Sequence, residues 1–515
     1  MTTQTMPVTR DEGIRVGWRG WAALAVLMLP VLLVSVDNTV LSFALPAIGR
    51  DLEPSSAEQL WIVDVYPLVL AGLLVTMGTM GDRFGRRRML LIGATGFAAI
   101  SALAAFASTA ELLIVARAAM GFFGAMLMPS TLSLLRSIFT DRDQRRLAIA
   151  VWASMFSAGA ALGPIVGGIL LEHFGWGSVF LLAIPVLIPL LALAPFLVPE
   201  SRDPHPGRID PISIALSMAT MVPIVFAIKE LAVHGAGSAA WAFAAAGAGF
   251  GVLFVRRQLR MRTPMLDMRL FREGTFTGAL LVNLLSVVGL VGFLFFVAQH
   301  LQLVLGLSPL EAGMALVPGL AAMIVAGFLV VPLGRRVAPR VLVPVALAFS
   351  VLGYVMVGVS GADASPATLV VAFVSLGIGI GAAETVSNEL ILASAPPAKA
   401  GAASAVSETA YELGAVLGTA LLGGVVTALY RSSLTLPAAL PADVREPARE
   451  TLAGAMVEAD LLGGSLGAAL REAAASAFGA GVGVTAAMGA ALVVVAAVIA
   501  AATLGGSRAP SRFEH

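Results

Sequence analysis

Four carboxylates stand inside stretches that are otherwise apolar. Asp37 interrupts residues 21–46 (WAALAVLMLPVLLVSVDNTVLSFALP), Asp64 lies in residues 61–66 (WIVDVY), and Glu408 and Glu412 stand four apart in the run that begins near Ala400. A carboxylate at the centre of a bilayer costs about 2.5–3.5 kcal/mol on insertion scales, so an acid kept there is expected to handle a proton or a cation. At about 1.5 Å rise per residue, Asp37 sits roughly 24 Å from Trp21 and Asp64 about 10 Å from Ala57. On adjacent antiparallel helices the two acids then share a depth. Two carboxylates close together in low dielectric do not both ionise readily. Glu408 and Glu412 share one helix face, about 10 and 16 Å from the helix end, and the same argument applies. Trp61, Tyr66 and Tyr411 stand beside these acids in sequence as candidate cavity aromatics, and Trp61 and Tyr411 offer aromatic faces to a cation. Glu384 and Glu389 fall nearer the end of their helix, where solvated acids are common, and rank behind the other four.

The elements that position these acids follow from composition. The chain has 515 residues, 58% of them hydrophobic and 12% charged, about half the usual charged share. Mean hydropathy is +0.93. No soluble fold buries so much apolar surface, so an all-α polytopic membrane protein is expected. Barrel strands would alternate, and these windows are apolar on every side. Net charge is +1, against nucleic acid as a partner. There is no cysteine, and the five histidines form no metal-binding pattern, so no metal site is expected. No nucleophile–base set or soluble signalling domain is visible, which disfavours a membrane enzyme or a non-transporting sensor. The polar start followed by a full-length span reads as an uncleaved first helix.

Fourteen helices are expected near residues 20–45, 57–78, 89–108, 111–135, 146–170, 178–198, 209–229, 239–257, 277–299, 312–332, 339–359, 366–394, 401–429 and 475–503. With the N-terminus inside, the inside segments collect Arg83, Arg86, Arg87, Arg88, Arg136, Arg142, Arg145, Arg146, the basic loop 256–276, Arg335, Arg336 and Arg340. The outside segments hold only Arg50, Lys229, Arg431, Arg445, Arg449 and Arg471, and Arg117 is placed within a helix. This bias puts both termini in the cytoplasm. The expected domains are a tail over 1–19, a six-helix bundle over 20–198, a linker with two inserted helices over 199–276, a second bundle over 277–503, and a tail over 504–515. Residues 430–474 form an outside loop with a helix-like run after Pro441, either an ordered cap or a tether.

Three motifs accompany the acids. Residues 78–90 (GTMGDRFGRRRML) place Gly78, Asp82, Arg83, Gly85 and Arg86 in a tight loop between helices 2 and 3, weakly echoed by Gly334, Arg335 and Arg336 between helices 10 and 11. Arg117 is followed by Gly121 in helix 4, and an Arg inside a span needs a polar interior or an acid. Helix 5 carries Gly159, Gly163, Pro164, Gly167 and Gly168, a flattened face with a proline kink.

The chain resembles the major facilitator superfamily, and within it the fourteen-helix drug:proton antiporter group. The loop is similar to the family's G-x-x-x-D-R-x-G-R-R-x, the helix 4 element to its R-x-x-x-G, and the helix 5 pattern to the G-x-x-x-G-P-x-x-G-G of antiporters. Further matching stretches are 36–46, 61–66, Pro264 to Asp267 with Leu270 and Phe271, 302–313 and 407–414. Within the group it is most similar to actinobacterial dye and fluoroquinolone exporters and staphylococcal quaternary-ammonium exporters. The resemblance implies two six-helix bundles plus two inserted helices. It implies proton-coupled export of lipophilic cations, with Asp37, Asp64, Glu408 and Glu412 as coupling or binding acids. Further implications are residence as a monomer in the lipid of a bacterial cytoplasmic membrane, and protons instead of a cofactor. The alternative it leaves is export of one endogenous metabolite, antibiotic or lipid. Two positions depart from the quaternary-ammonium exporters: Ser407 stands where they have an acid, and residues 316–331 carry none.

Overall fold

The structure is a computed structural model, and it describes residues 15–203, 210–235, 237–261, 264, 266, 268–361, 364–394 and 400–505. Met265 and Asp267 of the matched stretch lie outside the described residues, as does Arg262 of the basic loop. Among the described residues there is no strand. Fourteen helices among the described residues are long and apolar enough to cross a membrane. The first six are α1 (Trp18–Leu52), α2 (Ser56–Phe84), α3 (Arg86–Ala104), α4 (Ala110–Ile138), α5 (Leu147–Phe174) and α6 (Gly177–Leu197). Then come α7 (Pro211–Leu231) and α8 (Ser238–Arg260). The next five are α9 (Gly274–Val304), α10 (Pro309–Gly334), α11 (Pro339–Ser360), α12 (Pro366–Ser394) and α13 (Ala403–Ser433). Two short helices follow, α14 (Ala442–Glu450) and α15 (Leu452–Leu462), before the last span, α16 (Gly464–Thr503).

Contacts sort the spans into two six-helix bundles and a pair. In the first, α1 packs on α5 and α6, α2 on α4, and α3 on α4 and α6. In the second, α12 packs on α9, α10 and α11, while α16 packs on α9 and α11. The bundles meet through α5 with α10 and α2 with α13. The two halves start their second helices alike. Ser55 and Glu58 form a capping box at α2, and Ser308 and Glu311 form one at α10. Each box satisfies backbone N–H groups that a helix start leaves open. The sequence repeat therefore extends from the loops after these helices to their first turns.

The inserted pair α7–α8 is a hairpin locked at one end. Asp210 caps α7 by accepting from the Ser213 backbone N–H, and it holds Arg257 of α8 at 2.9 Å. The hydrogen bond from Arg257 pulls the Asp210 carboxyl down to about 2. Helix α7 lies on α2 and α13, across the seam between the bundles.

Of the expected loop 430–474, the residues between α13 and α16 form a cap built on α14 and α15. Glu450 accepts from the Ser56 backbone N–H at 3.1 Å and pairs with Arg431 at 3.1 Å, so it ties the start of α2 to the end of α13. The Tyr430 hydroxyl donates to the Ala448 carbonyl at 2.7 Å. The last span starts about one and a half heptads before the expected residue 475, because Gly463 and Gly464 turn the chain at positive φ straight into α16. Glu450→Ala is expected to cost about 1–2 kcal/mol of local stability. Faster amide exchange in residues 442–462, with the spans unaffected, is the outcome that checks it.

Candidate functional site

Asp37 does not face Asp64 as a bare like charge; each acid has its own cation. Arg117 of α4 is 1% exposed and its guanidinium lies 2.6 Å from Asp37 Oδ2. The same guanidinium donates from Nε to the Ile62 carbonyl at 3.2 Å and lies 4.6 Å above the Tyr66 ring. Arg117 thus joins α1, α2 and α4 through one planar group. A buried charge is tolerated where pairing and hydrogen bonds replace water.

Asp64 is fully buried, and Lys229 of α7 places Nζ 2.9 Å from its Oδ2. The ammonium also donates to the Leu60 carbonyl at 3.0 Å and sits 3.8 Å over the Trp61 ring. Lys229 was expected in an outside segment; it is 2% exposed inside the protein. The Trp61 and Tyr66 rings, expected as cavity aromatics, are instead covered by Lys229 and Arg117. Neither ring lines the central cavity.

That cavity, of about 50 Å³, lies between the bundles. Its polar lining is Asn38, Thr39, Ser42, Asp64, Arg117 and Tyr411, and Leu290, Leu294, Leu320 and Met323 supply apolar surface from the second bundle. Tyr411 of α13 meets Phe156 of α5 edge-on at 5.5 Å, an aromatic contact from one bundle to the other. Glu412 is buried, with Glu408, Asn38 and Asp37 as its electrostatic neighbours. Glu408 has Arg136 of α4 as a charged neighbour. The four acids therefore surround the contact between bundles, although they come from three helices. Glu384 does not sit in solvent as expected: one carboxylate oxygen is buried without a hydrogen-bond partner. Glu389 is exposed. Ser407, at the departing position, donates to Asn388 Oδ1 at 2.7 Å, and Asn283 donates to the same oxygen at 3.3 Å. A neutral amide cluster replaces the acid there.

The motif residues act on helix packing. Asp82 pairs with Arg86 at 2.8 Å, while Gly78 lies against Pro129 of α4. Arg83 is exposed and lies over Phe84. Gly85 has φ +115°, a region that L side chains rarely enter, and a Cβ there would meet the Glu200 carboxyl at 2.8 Å. Glu200 accepts from the backbone N–H groups of Arg87 and Arg88, which puts a carboxylate on the start of α3. In α5, Gly159, Gly163 and Gly167 face Ser35, Thr39 and Val40 of α1, and Gly168 faces Leu310 of α10. The carbonyl of Pro164 lies where a Cβ on Gly313 would be. The bundles touch at the cap face through these residues and through Gln302, whose amide donates to the Phe43 carbonyl at 3.2 Å.

The model of the Major Facilitator Superfamily matches residues 27–419. The chain belongs to the major facilitator superfamily. It is a multi-pass membrane transporter of this superfamily and not an enzyme. It is 61% identical to the multidrug efflux pump LfrA of Mycolicibacterium smegmatis, over 82% of this chain and 84% of that protein. It is 36% identical to the methyl viologen resistance protein SmvA of Salmonella typhimurium, over 82% and 86% of the two chains. Its fold is similar to that of a bacterial homologue of the human lysosomal transporter Spinster, inward-facing and unoccupied. That likeness has a TM-score of 0.65 at 18% identity and covers 94% of this chain and 98% of that one. These relatives place the superfamily protein in a bacterial cytoplasmic membrane.

Two participants escaped the sequence reading. The apolar window of helix 7 ends at Lys229, although the helix runs on past it and the lysine has Glu230 beside it. A continuing apolar pattern around a single lysine was the signal. Glu200 had no such signal, because its partners are backbone groups.

Proposed function

We propose that the protein is a proton-coupled antiporter that exports lipophilic, mainly cationic compounds, among them dyes, quaternary ammonium compounds and fluoroquinolones. The observation that carries this reading is the small cavity between the bundles, where Asn38, Asp64 and Arg117 stand among apolar side chains from both bundles, Val63 and Ala160 from one and Leu290, Leu294, Leu320 and Met323 from the other. An organic cation needs both surfaces: apolar contact for its body and an acid or ring for its charge. The names of the relatives, a multidrug efflux pump and a resistance protein against methyl viologen, support the same class of cargo.

In this reading both termini and the basic loops face the cytoplasm, and the cap faces outward. The domains are bundles over 20–198 and 277–503 with the pair α7–α8 between them. Rocking of one bundle against the other about the acids gives alternating access. Glu408 and Glu412, on one face of α13, exchange protons, and protonation from outside discharges the bound cation. Asp37 and Asp64 hold the field of the site through Arg117 and Lys229. Each charge moved through 100 mV supplies about 2.3 kcal/mol, and each pH unit about 1.4 kcal/mol. Together they sustain gradients far above tenfold. The proton is the coupling ion, no cofactor takes part, and one chain surrounded by lipid is the working unit.

The test is ethidium transport into proteoliposomes of the purified protein under an imposed pH gradient. Wild type should accumulate ethidium only with the gradient, and Glu408→Gln should lose about tenfold or more of that rate. Folded wild type that moves no ethidium would overturn the multidrug reading and favour an exporter of one endogenous compound.

A further inference from the structure

The inserted helix α7 carries a cation into the neighbourhood of the central acids. Lys229 Nζ is held by a carboxylate oxygen of Asp64 at 2.9 Å, the Leu60 carbonyl at 3.0 Å, and the Trp61 ring at 3.8 Å. Carboxylate, carbonyl and aromatic face together are the set of groups that would bind the positive end of an organic cation. Beside the ring, Leu68, Val225, Val416 and Ala420 form an apolar cluster apart from the main core, and Trp61 packs against it. Residues of α2, α7 and α13 thus meet at the Trp61 ring. Asp64 borders the central cavity. The acid has a tethered ammonium on one side and the small central cavity on the other.

We infer that Lys229 is a specificity-determining residue. It is a built-in cation that occupies the Asp64–Trp61 site, and a cationic substrate must displace it. The inference rests on the cation-export reading above and names the residue that sets its selectivity. A site filled by its own tethered ligand binds a competitor only in the fraction of molecules where that ligand is away. If that fraction is about 10% or less, the apparent affinity for a cation is reduced about tenfold or more. A neutral compound does not compete with the ammonium and escapes this reduction. Small hydrophilic cations, with little apolar contact to offset the displaced ion pair, are rejected. Large lipophilic cations gain enough from the aliphatic wall of the cavity to displace it. Lys229 thereby discriminates by repulsion where the cavity alone would discriminate only by fit.

The experiment is equilibrium binding of two probes to the purified full chain in lipid nanodiscs, the cation ethidium and the neutral dye Nile red, for wild type and Lys229→Met. The methionine keeps an unbranched side chain, one atom shorter, and removes the charge. The expected result is about tenfold tighter ethidium binding in Lys229→Met with Nile red binding unchanged. The double variant Asp64→Asn, Lys229→Met carries no buried charge at this pair, so it folds without an uncompensated acid, and it should lose the gain. Weaker or unchanged ethidium binding in folded Lys229→Met, with wild type binding ethidium, overturns the inference and leaves the export reading intact. A gain for ethidium and Nile red alike also overturns it, since that would be a change of cavity volume and not of charge. Binding of ethidium by neither protein overturns the cation reading and the inference together.

Discussion

Asp37→Asn should stop transport and should also loosen the protein, and the two effects can be separated. Arg117 is 1% exposed and its guanidinium depends on Asp37 at 2.6 Å for its countercharge. Removing one partner of a buried pair costs about 3–5 kcal/mol, because the remaining charge is left without compensation. The guanidinium also bridges α1 to the Ile62 carbonyl of α2, so the loss spreads over three helices of the first bundle. Asp37→Asn is therefore expected to lower the melting temperature and to abolish gradient-driven ethidium transport. The double variant Asp37→Asn, Arg117→Gln removes both charges and should regain most of the stability, since no lone ion remains. Its transport decides what the pair does. Stability regained with transport still absent assigns the pair to coupling. Recovery of both would reduce it to a structural device. Full transport by the single variant would sink the assignment outright.

The second large effect is expected at Gly168. A Cβ there would stand 2.7 Å from the Leu310 Cα and 3.0 Å from the Pro309 carbonyl oxygen. Both are backbone atoms at the start of α10 and cannot turn aside as a side chain can. Gly168→Val must push α5 and α10 apart at the cap face, at about 1–3 kcal/mol for the overpacking. The contact lies between the bundles, so the cost falls on one conformation and not on the fold. The variant should insert and melt near wild type, yet transport about tenfold or more slower. The chain has no cysteine, so a pair introduced at the cap-face ends of α5 and α10 gives a clean readout. Its crosslinking should fall in Gly168→Val. Unchanged crosslinking and unchanged transport would show that the cap face does not need this close approach.

The spans, the acids and the packing pattern were open to sequence reasoning because each is written in a local window. A run of about twenty apolar residues is a span wherever its neighbours lie. The acids at 37, 64, 408 and 412 stand out because such runs rarely contain them. The glycines of α5 at 159, 163 and 167 mark one close-packed face by their spacing alone. Their partners Ser35, Thr39 and Val40 lie on α1, which spacing does not name. The same limit explains the error at Lys229. Hydropathy treats a lysine near a span's end as a reason to stop the helix. Only the packing of α7 across α2 and α13 puts it against Asp64.

Sequence by itself determined that this is a fourteen-span membrane protein with acids inside its spans and a flattened fifth helix. Tertiary structure decided which cation each acid keeps. Arg117 belongs to Asp37 and Lys229 to Asp64, while Glu412 has only acidic and amide neighbours among its strongest interactions. It also decided that residues 442–462 are a cap bound to Ser56 and Arg431, and that Glu200 sits on the start of α3. The physical reason is one of range. Burial in lipid is a property of single helices, summed residue by residue. Charge pairing depends on the rotation of each helix and on which face meets which, and these are fixed by contacts between segments far apart in the chain.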